Sequence, residues 1–421
     1  MRRVVITGIG AVTPLGNDMN STWENIIQRR SGIGRITKFD TSNLPSRIAG
    51  ELKDFGPGMF MPAKDILRLD PFVHYAAAAG LMACKDAGLT DSAAENGTGL
   101  CRGVLQYAPT VGVIIGSSRG GVTSMEKALE RHLVQRKPFS AYLMSASTIN
   151  MASAYISMRL GIRGPALGVS TACASGSTAI GEAFRMIRHG DIDVAFAGGA
   201  EAPVCRLAVG GYGASGALSV RNNEPEKASR PFDRDRDGFI VAEGACVLVL
   251  EELEHALKRD AFVYAELAGY GTSSDAFHQT KPDSKGESES IRKALKDANI
   301  TADNVDYINA HATSTSLGDS AEAMAIKEVF GARAADIHVS SCKSMLGHML
   351  GASGALEAAI TAMSIKKDLI TPTINLDNPD EALGLNIATS TISGRINTAV
   401  SNSFGFGGIN AVLVLKKFSR D

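Results

Sequence analysis

Apolar positions follow two rhythms along this chain. VVITGIGAV at 4–12 and VGVIIG at 111–116 read as strands, and ALGVST at 166–171 as a short buried one. Directly after ALGVST, Ala179, Ile180, Ala183, Phe184 and Ile187 recur at helical spacing, so Cys173, within VSTACASGSTAIGEAFRMI, falls at a strand-to-helix junction. Segments 90–106 (TDSAAENGTGLCRGVLQ) and 281–290 (KPDSKGESES) are polar and read as surface loops, the second running into a helix N-terminus.

The same pattern recurs within the chain. GACVLVLEELEHA at 244–256 resembles NAVLVLKKF at 410–418, DIDVAFAGGAE at 191–201 resembles NVDYINAHATS at 304–314, and VSTACASGSTAIGEAFRMI resembles VSSCKSMLGHMLGASGALEAAITAMSI at 339–365. The simplest reading is a duplicated α/β unit with its junction near residue 256, its two turns meeting where ligand sites commonly lie. Glycines concentrate at strand ends and loops, as in GSSRGG (116–121), AGGAE (197–201) and FGFGG (404–408), which suits an α/β protein whose strand ends build a site.

Composition narrows the classes. With 421 residues and 44% hydrophobic content, the chain can bury a large core. A net charge of −1 gives no whole-molecule attraction to nucleic acid or an anionic membrane. No run approaches the roughly 18 apolar residues of a membrane span. Six cysteines without paired spacing suggest a reducing compartment. The opening MRRVVITGIG passes straight into a strand, so the expected location is the cytoplasm, or an organelle matrix (mitochondrion or plastid) if a transit segment was removed.

Three motifs resemble sites and fail on inspection. DRDRDGFIVAEG (233–244) mimics a calcium loop, but Glu243 stands one place early and the flanks read as strand. TGIGAVTPLG lacks the third glycine of a dinucleotide loop, and Cys342 with His348 lacks a second pair for zinc.

Cys173 then stands as a candidate nucleophile. Unpaired N–H groups and the positive end of the following helix would favour a thiolate, the alternative being a buried structural cysteine. His311 follows the strand VDYINA and His348 lies in a small-residue stretch after IHVSS; each alone reads more readily as a structural histidine than as a catalyst.

Taken together and in order, VSTACASG, NAHATST, KSMLGHMLGASGALE and NSFGFGGIN resemble the elongating β-ketoacyl-[acyl-carrier-protein] synthases. VVITGIGAVTPLG, GGAEAP and RPFDRDRDGFIVAEGA resemble them too, so that the likeness runs from about residue 2 to 417. The resemblance implies a thiolase-like α/β fold of duplicated αβαβα halves, with the nucleophilic cysteine in 1–256 and the catalytic histidine pair in 257–421. It implies a homodimer without a cofactor, acting on acyl and malonyl phosphopantetheine thioesters of acyl carrier protein. The acyl chain passes to Cys173 and a decarboxylative condensation extends it by two carbons. A polyketide ketosynthase subunit and a non-catalytic chain-length partner are the alternatives, although Cys173 speaks against the latter.

Residue by residue, the resemblance makes the N–H groups of Cys173 and Phe406 the oxyanion donors, with Phe406 and Phe404 gating or lining the acyl pocket. His311 and His348 stabilise the enolate, and Lys343 and Glu357 hold the histidines or form a structural ion pair. Thr313 and Thr315 hold the pantetheine arm or cap a turn; Lys64, Arg68 and Arg206 are candidates for carrier docking. No metal is required, and a monovalent cation site is implied near Asn309, Glu357 and Asn402. Retention of both histidines separates the chain from thiolases and from initiating synthases. It departs from the family pattern at Ala312, Ser316, Cys342 and Leu346, at Gly216 in place of a common Arg, and at Arg119, where relatives carry an apolar residue at the acyl pocket of the neighbouring subunit. Arg119 is expected either to turn to an acidic partner or to shorten the acyl channel.

Overall fold

A computed structural model describes residues 1–89 and 110–420; the loop read at 90–106 lies outside the described residues. The strands that position the site form one eleven-stranded sheet. In chain order they are β1 (Val4–Val12), β2 (Val111–Gly116), β3 (Ala166–Val169), β4 (Val194–Glu201), β5 (Gly244–Glu252), β6 (Ala265–Ser274), β7 (Tyr307–Asn309), β8 (His338–Ser340), β9 (Asn386–Ile387), β10 (Thr398–Gly405) and β11 (Ile409–Lys416). Their spatial order is β9-β8-β7-β10-β11-β6-β1-β5-β4-β2-β3.

Read outward from the antiparallel β1–β6 contact, the two directions match. On one side β5 pairs antiparallel with β1 and with β4, and β4, β2 and β3 run parallel. On the other, β11 pairs antiparallel with β6 and with β10, and β10, β7 and β8 run parallel. This order corrects one of the internal matches. DIDVAFAGGAE is β4, beside β5, whereas NVDYINAHATS carries β7, whose counterpart by position is β2. Short apolar strands ending in small residues look alike, so periodicity alone cannot rank them.

Two helices lie at the centre: α3 (Ser175–His189) follows β3, and α7 (Ser353–Lys367) follows β8. Every residue of α7 from Ser353 to Ile365 is buried, as expected of a helix that is apolar all round. Close approach between them uses glycine, since a Cβ at Gly176 would come within 2.8 Å of the Ala355 nitrogen and one at Gly354 within 2.3 Å of Ser177 Oγ. Outer helices cover the sheet faces, α1 (Pro71–Asp86) against β1 and β5, and α5 (Ser284–Asp297) against β6 and β11. This is the αβαβα layering that the resemblance implies.

ALGVST is not buried. β3 is the edge strand, exposed from Ala166 to Gly168, with Leu167 45% exposed. The apolar pattern does form a strand, but no other strand among the described residues covers its outer edge. Cys173, Cys205, Cys246 and Cys342 are free thiols.

Candidate active site

Cys173 sits in the turn between β3 and α3, which is pinned by local bonds. The Thr171 N–H donates to Ser175 Oγ at 2.9 Å, and that hydroxyl donates to the Ala172 carbonyl at 2.6 Å. Ala172 takes a left-handed φ of 50°, and Ser314 and Leu350, beside the other site residues, have φ of 69° and 45°. Three non-glycine residues in this region are what a tightly constrained functional site shows.

The FGFGG loop crosses over this turn at the β10–β11 hairpin. A Cβ at Gly405 would lie 2.8 Å from the Thr171 carbonyl oxygen, so glycine lets the loop approach, and the Phe406 N–H reaches the Cys173 thiol. The two expected oxyanion donors are therefore together. The thiol's acidity departs from expectation. Burial pushes it up to about 11, against the lowering effects of the Phe406 N–H, Lys343 and Arg119. Desolvation outweighs the Phe406 N–H and the nearby cations.

His311 and His348 meet edge-on, with ring centroids 5.4 Å apart, and both line a cavity of about 350 Å³ with Cys173, Thr313, Thr315, Phe404 and Phe406. Burial, then the nearby Lys343 charge, holds both imidazoles well below the usual histidine range, so they are neutral. His311 Nδ1 and His348 Nε2 are buried with no hydrogen-bond partner among the described residues.

Neither histidine is held by the Lys343–Glu357 pair. The His311 N–H donates to Glu322 at 2.8 Å, and Glu322 also accepts from the Ala312 N–H at 2.7 Å and Asn402 Nδ2 at 2.9 Å. His348 Nδ1 lies 3.0 Å from Ser353 Oγ, and its backbone is bracketed by Ile240 and Ala242. The false calcium loop thus serves as the wall behind His348, its Asp233 paired with Arg230 at 3.0 Å. Lys343 and Glu357 form a fully buried ion pair that acts on the imidazoles through its field.

Sequence reading missed Glu322 and Ser353. The signal for Glu322 was present as an acid in the second turn of α6 (Ser316–Phe330), one turn after Asp319. Asp319 itself accepts from the N–H groups of Phe232, Ser314 and Thr315. Thr313 and Thr315 both line the cavity, with their hydroxyls 3.1 Å apart, but Thr315 also caps α6 through the Gly318 N–H. Lys281, unremarked in the sequence, lines the cavity, while Lys64, Arg68 and Arg206 are exposed and do not. Arg119 turns to Tyr212 and, among the described residues, to no acid.

A thiol reached by the Phe406 N–H and sharing a cavity with two neutral imidazoles is an arrangement suited to acyl–sulfur chemistry. Residues 1–256 match the beta-ketoacyl synthase N-terminal domain and 264–377 the C-terminal domain of the same family. The chain belongs to the β-ketoacyl synthase family. This synthase is 45% identical over 420 residues to a 3-oxoacyl-[acyl-carrier-protein] synthase 2 of Coxiella burnetii, covering 99% of both chains. It is 43% identical to that of Synechocystis over 99% of this chain and 98% of the relative. Its fold superposes on a β-ketoacyl synthase from Burkholderia phymatum with a TM-score of 0.90 at 34% identity, covering all of both chains. A type II polyketide ketosynthase solved in complex with its acyl carrier protein gives 0.88 at 33% identity, covering 99% of this chain and 100% of the other. The synthase has the thiolase-like α/β fold and the acyl-transferring, condensing activity of its family.

Proposed function

We propose that this synthase is a 3-oxoacyl-[acyl-carrier-protein] synthase of fatty acid elongation and that Cys173, His311, His348 and the Phe406 N–H carry its chemistry. The observation behind it is the pair of neutral imidazoles, 5.4 Å apart, facing the thiol across one cavity. Because burial keeps the thiol protonated, its proton must leave during attack on the acyl-carrier thioester, and the unpaired His348 Nε2 is a neutral base in the same cavity. The sulfur–acyl bond forms as the pantetheine thiolate departs and takes up that proton. The N–H groups of Cys173 and Phe406 stabilise the oxyanion.

Malonyl thioester then loses CO₂, leaving an enolate that needs hydrogen-bond donors rather than bases. Neutral imidazoles supply them once His348 has passed to the tautomer protonated at Nε2, in which the Ser353 hydroxyl donates to Nδ1. The enolate carbon attacks the acyl–Cys173 carbonyl, and the sulfur leaves as the 3-oxoacyl thioester forms. Thr313 and Thr315 line the pantetheine arm, and burial, reinforced by the Lys343 charge, keeps the histidines neutral.

The cation site implied by the family fits the residues present. Asn309 Oδ1, Asn402 Oδ1 and Glu357 Oε2 are buried oxygens with no partner among the described residues. These oxygens would hold a monovalent cation, whose charge would balance the Glu322 and Glu357 carboxylates around Lys343.

The acyl carrier protein approaches the cavity mouth at Lys281, with Lys64, Arg68 and Arg206 beyond it. The exposed edge strand β3, with Met144, Met158 and Leu167 exposed nearby, is where a second copy of the chain would pair. Residues 1–256 and 257–421 form the two halves, and the enzyme works in the cytoplasm, as the bacterial sources of its relatives suggest. The test is mass spectrometry after incubation with acyl-carrier protein. An acyl mass on Cys173, absent in Cys173→Ala, supports the reading; no adduct, or one in both proteins, rejects it.

A further inference from the structure

One charged side chain beside the cavity has no part in the chemistry above. Arg119 lies between β2 and α2 (Val122–Gln135), and its Nε donates to the Tyr212 hydroxyl at 2.8 Å, with the guanidinium carbon 5.2 Å from the ring centroid. Tyr212 is on α4 (Arg206–Ala214) and lines the same cavity as Cys173. It meets Phe239 edge-on at 5.5 Å, and Phe239 meets His348 edge-on at 5.3 Å. Val204, Val209, Leu218 and Leu350 pack in one cluster with Cys173 and Tyr212; of these Cys173, Tyr212 and Leu350 line the cavity, and the exposed Arg119 side chain reaches it through Tyr212.

No carboxylate among the described residues pairs with the Arg119 guanidinium. Glu201, the nearest by its electrostatic effect, already accepts from Ser117 Oγ at 3.1 Å and from the N–H groups of Ser118, Arg119 and Gly351 at 2.6, 3.0 and 3.0 Å. Its contact with Arg119 is therefore through the main chain. With Nε given to Tyr212, both Nη groups of Arg119 remain as donors. The phenol, having accepted that bond, keeps its own O–H to give. Burial and the nearby sulfur push Tyr212 up to about 12, so that proton stays in place. The pair thus presents donors only, beside an apolar cluster at the Tyr212 side of the cavity. The group that matches a guanidinium fork is a carboxylate.

We propose that Arg119 and Tyr212 bind an oxygen anion at the far end of the acyl group, so that this synthase extends ω-carboxyacyl thioesters in preference to plain alkyl ones. A purely alkyl chain against this wall would desolvate the guanidinium without pairing it. The proposal rests on the condensing reaction above and specifies the substrate class.

The test uses the full-length enzyme and carrier protein loaded with succinyl, glutaryl or adipoyl groups, set against butyryl, valeryl or hexanoyl groups of equal length. The readout is the ratio of kcat/KM, carboxylated over neutral, at each length. The expected wild-type ratio is at least about tenfold at the best-fitting length. It falls below one in Arg119→Leu, is partly kept in Arg119→Lys, and drops severalfold in Tyr212→Phe. A wild-type preference for the neutral chain at every length, or an unchanged ratio in Arg119→Leu, overturns the proposal. So does an Arg119→Leu enzyme that loses only subunit association, since the guanidinium would then pair with an acid of a second copy. Failure of every thioester to acylate Cys173 instead rejects the condensing reading itself.

Discussion

Two turns occupy matching places in the sheet and do opposite work. One follows β3 and leads into α3; the other follows β8 and leads into α7. The first is short, strained at Ala172, and carries only a neutral thiol. The second runs from Ser341 to Ala352, contains two short helical segments, and carries Lys343 and His348. Both meet at the Gly176 and Gly354 helix contact, so a charge stored in one turn acts on the sulfur in the other. Dividing the functions lets the nucleophile stay small and uncharged while its field is built elsewhere. The edges differ as well: β8 is covered by β9, whereas β3 has no strand beyond it among the described residues.

The largest expected effect comes from the first turn. Cys173→Ala should lower condensation by at least about a thousandfold, while urea unfolding shifts by no more than about 1 kcal/mol because a single small side chain is trimmed. The second turn should behave differently. Lys343→Ala leaves Glu357 buried without its partner and should cost about 3 kcal/mol of stability in addition to activity. Lys343→Met combined with Glu357→Gln should recover most of the stability and little of the activity. Equal stability losses at Cys173 and Lys343 would erase the proposed division of labour.

Thiol reactivity sharpens the same contrast. With Cys173 pushed up to about 11 by burial, its alkylation by iodoacetamide should climb roughly a hundredfold between pH 7 and pH 9 without a plateau. A plateau below pH 8 would mean that the helix end dominates over desolvation after all.

Much of this was legible in the sequence, and the failures share one cause. The strand-turn-helix around Cys173, the two histidines and the FGFGG loop were all found from local pattern and family resemblance, because turns and apolar periods are local. What the sequence could not convey was depth. ALGVST looks buried and is an exposed edge, and Cys173 looks activated by a helix end and is governed by desolvation. Glu322 reads as one more acid on a helix but is buried beneath His311. Each is a statement about what a distant segment covers, and hydrophobic pattern carries no record of that.

The imidazoles give a smaller, pH-dependent effect. In the unfolded chain a histidine titrates near pH 6.5, and both folded-state values lie well below it. Below pH 6.5 the unfolded state therefore binds more protons, so folding stability is full above that pH and declines as pH falls, by up to about 1.4 kcal/mol per group for each pH unit. Decarboxylation of malonyl-carrier protein should stay level from pH 8 down through 6.5. A fall centred at pH 6.5 would show that the histidines are not held neutral, and that Lys343 does not reach across from its turn.

The smallest effect concerns the charge balance beneath the second turn. If Asn309 Oδ1, Asn402 Oδ1 and Glu357 Oε2 hold a monovalent cation, potassium binds the folded state alone and must stabilise it by mass action. Replacing potassium chloride by choline chloride at equal ionic strength should then lower Tm by about 2 °C, a shift of the size expected for roughly 1 kcal/mol in a chain this long. Asn309→Ala should abolish the difference between the salts, because one of the three oxygens is gone, while Cys173→Ala should retain it. The first turn would thus be blind to the cation and the second dependent on it, which is the behaviour expected if only the second turn stores charge.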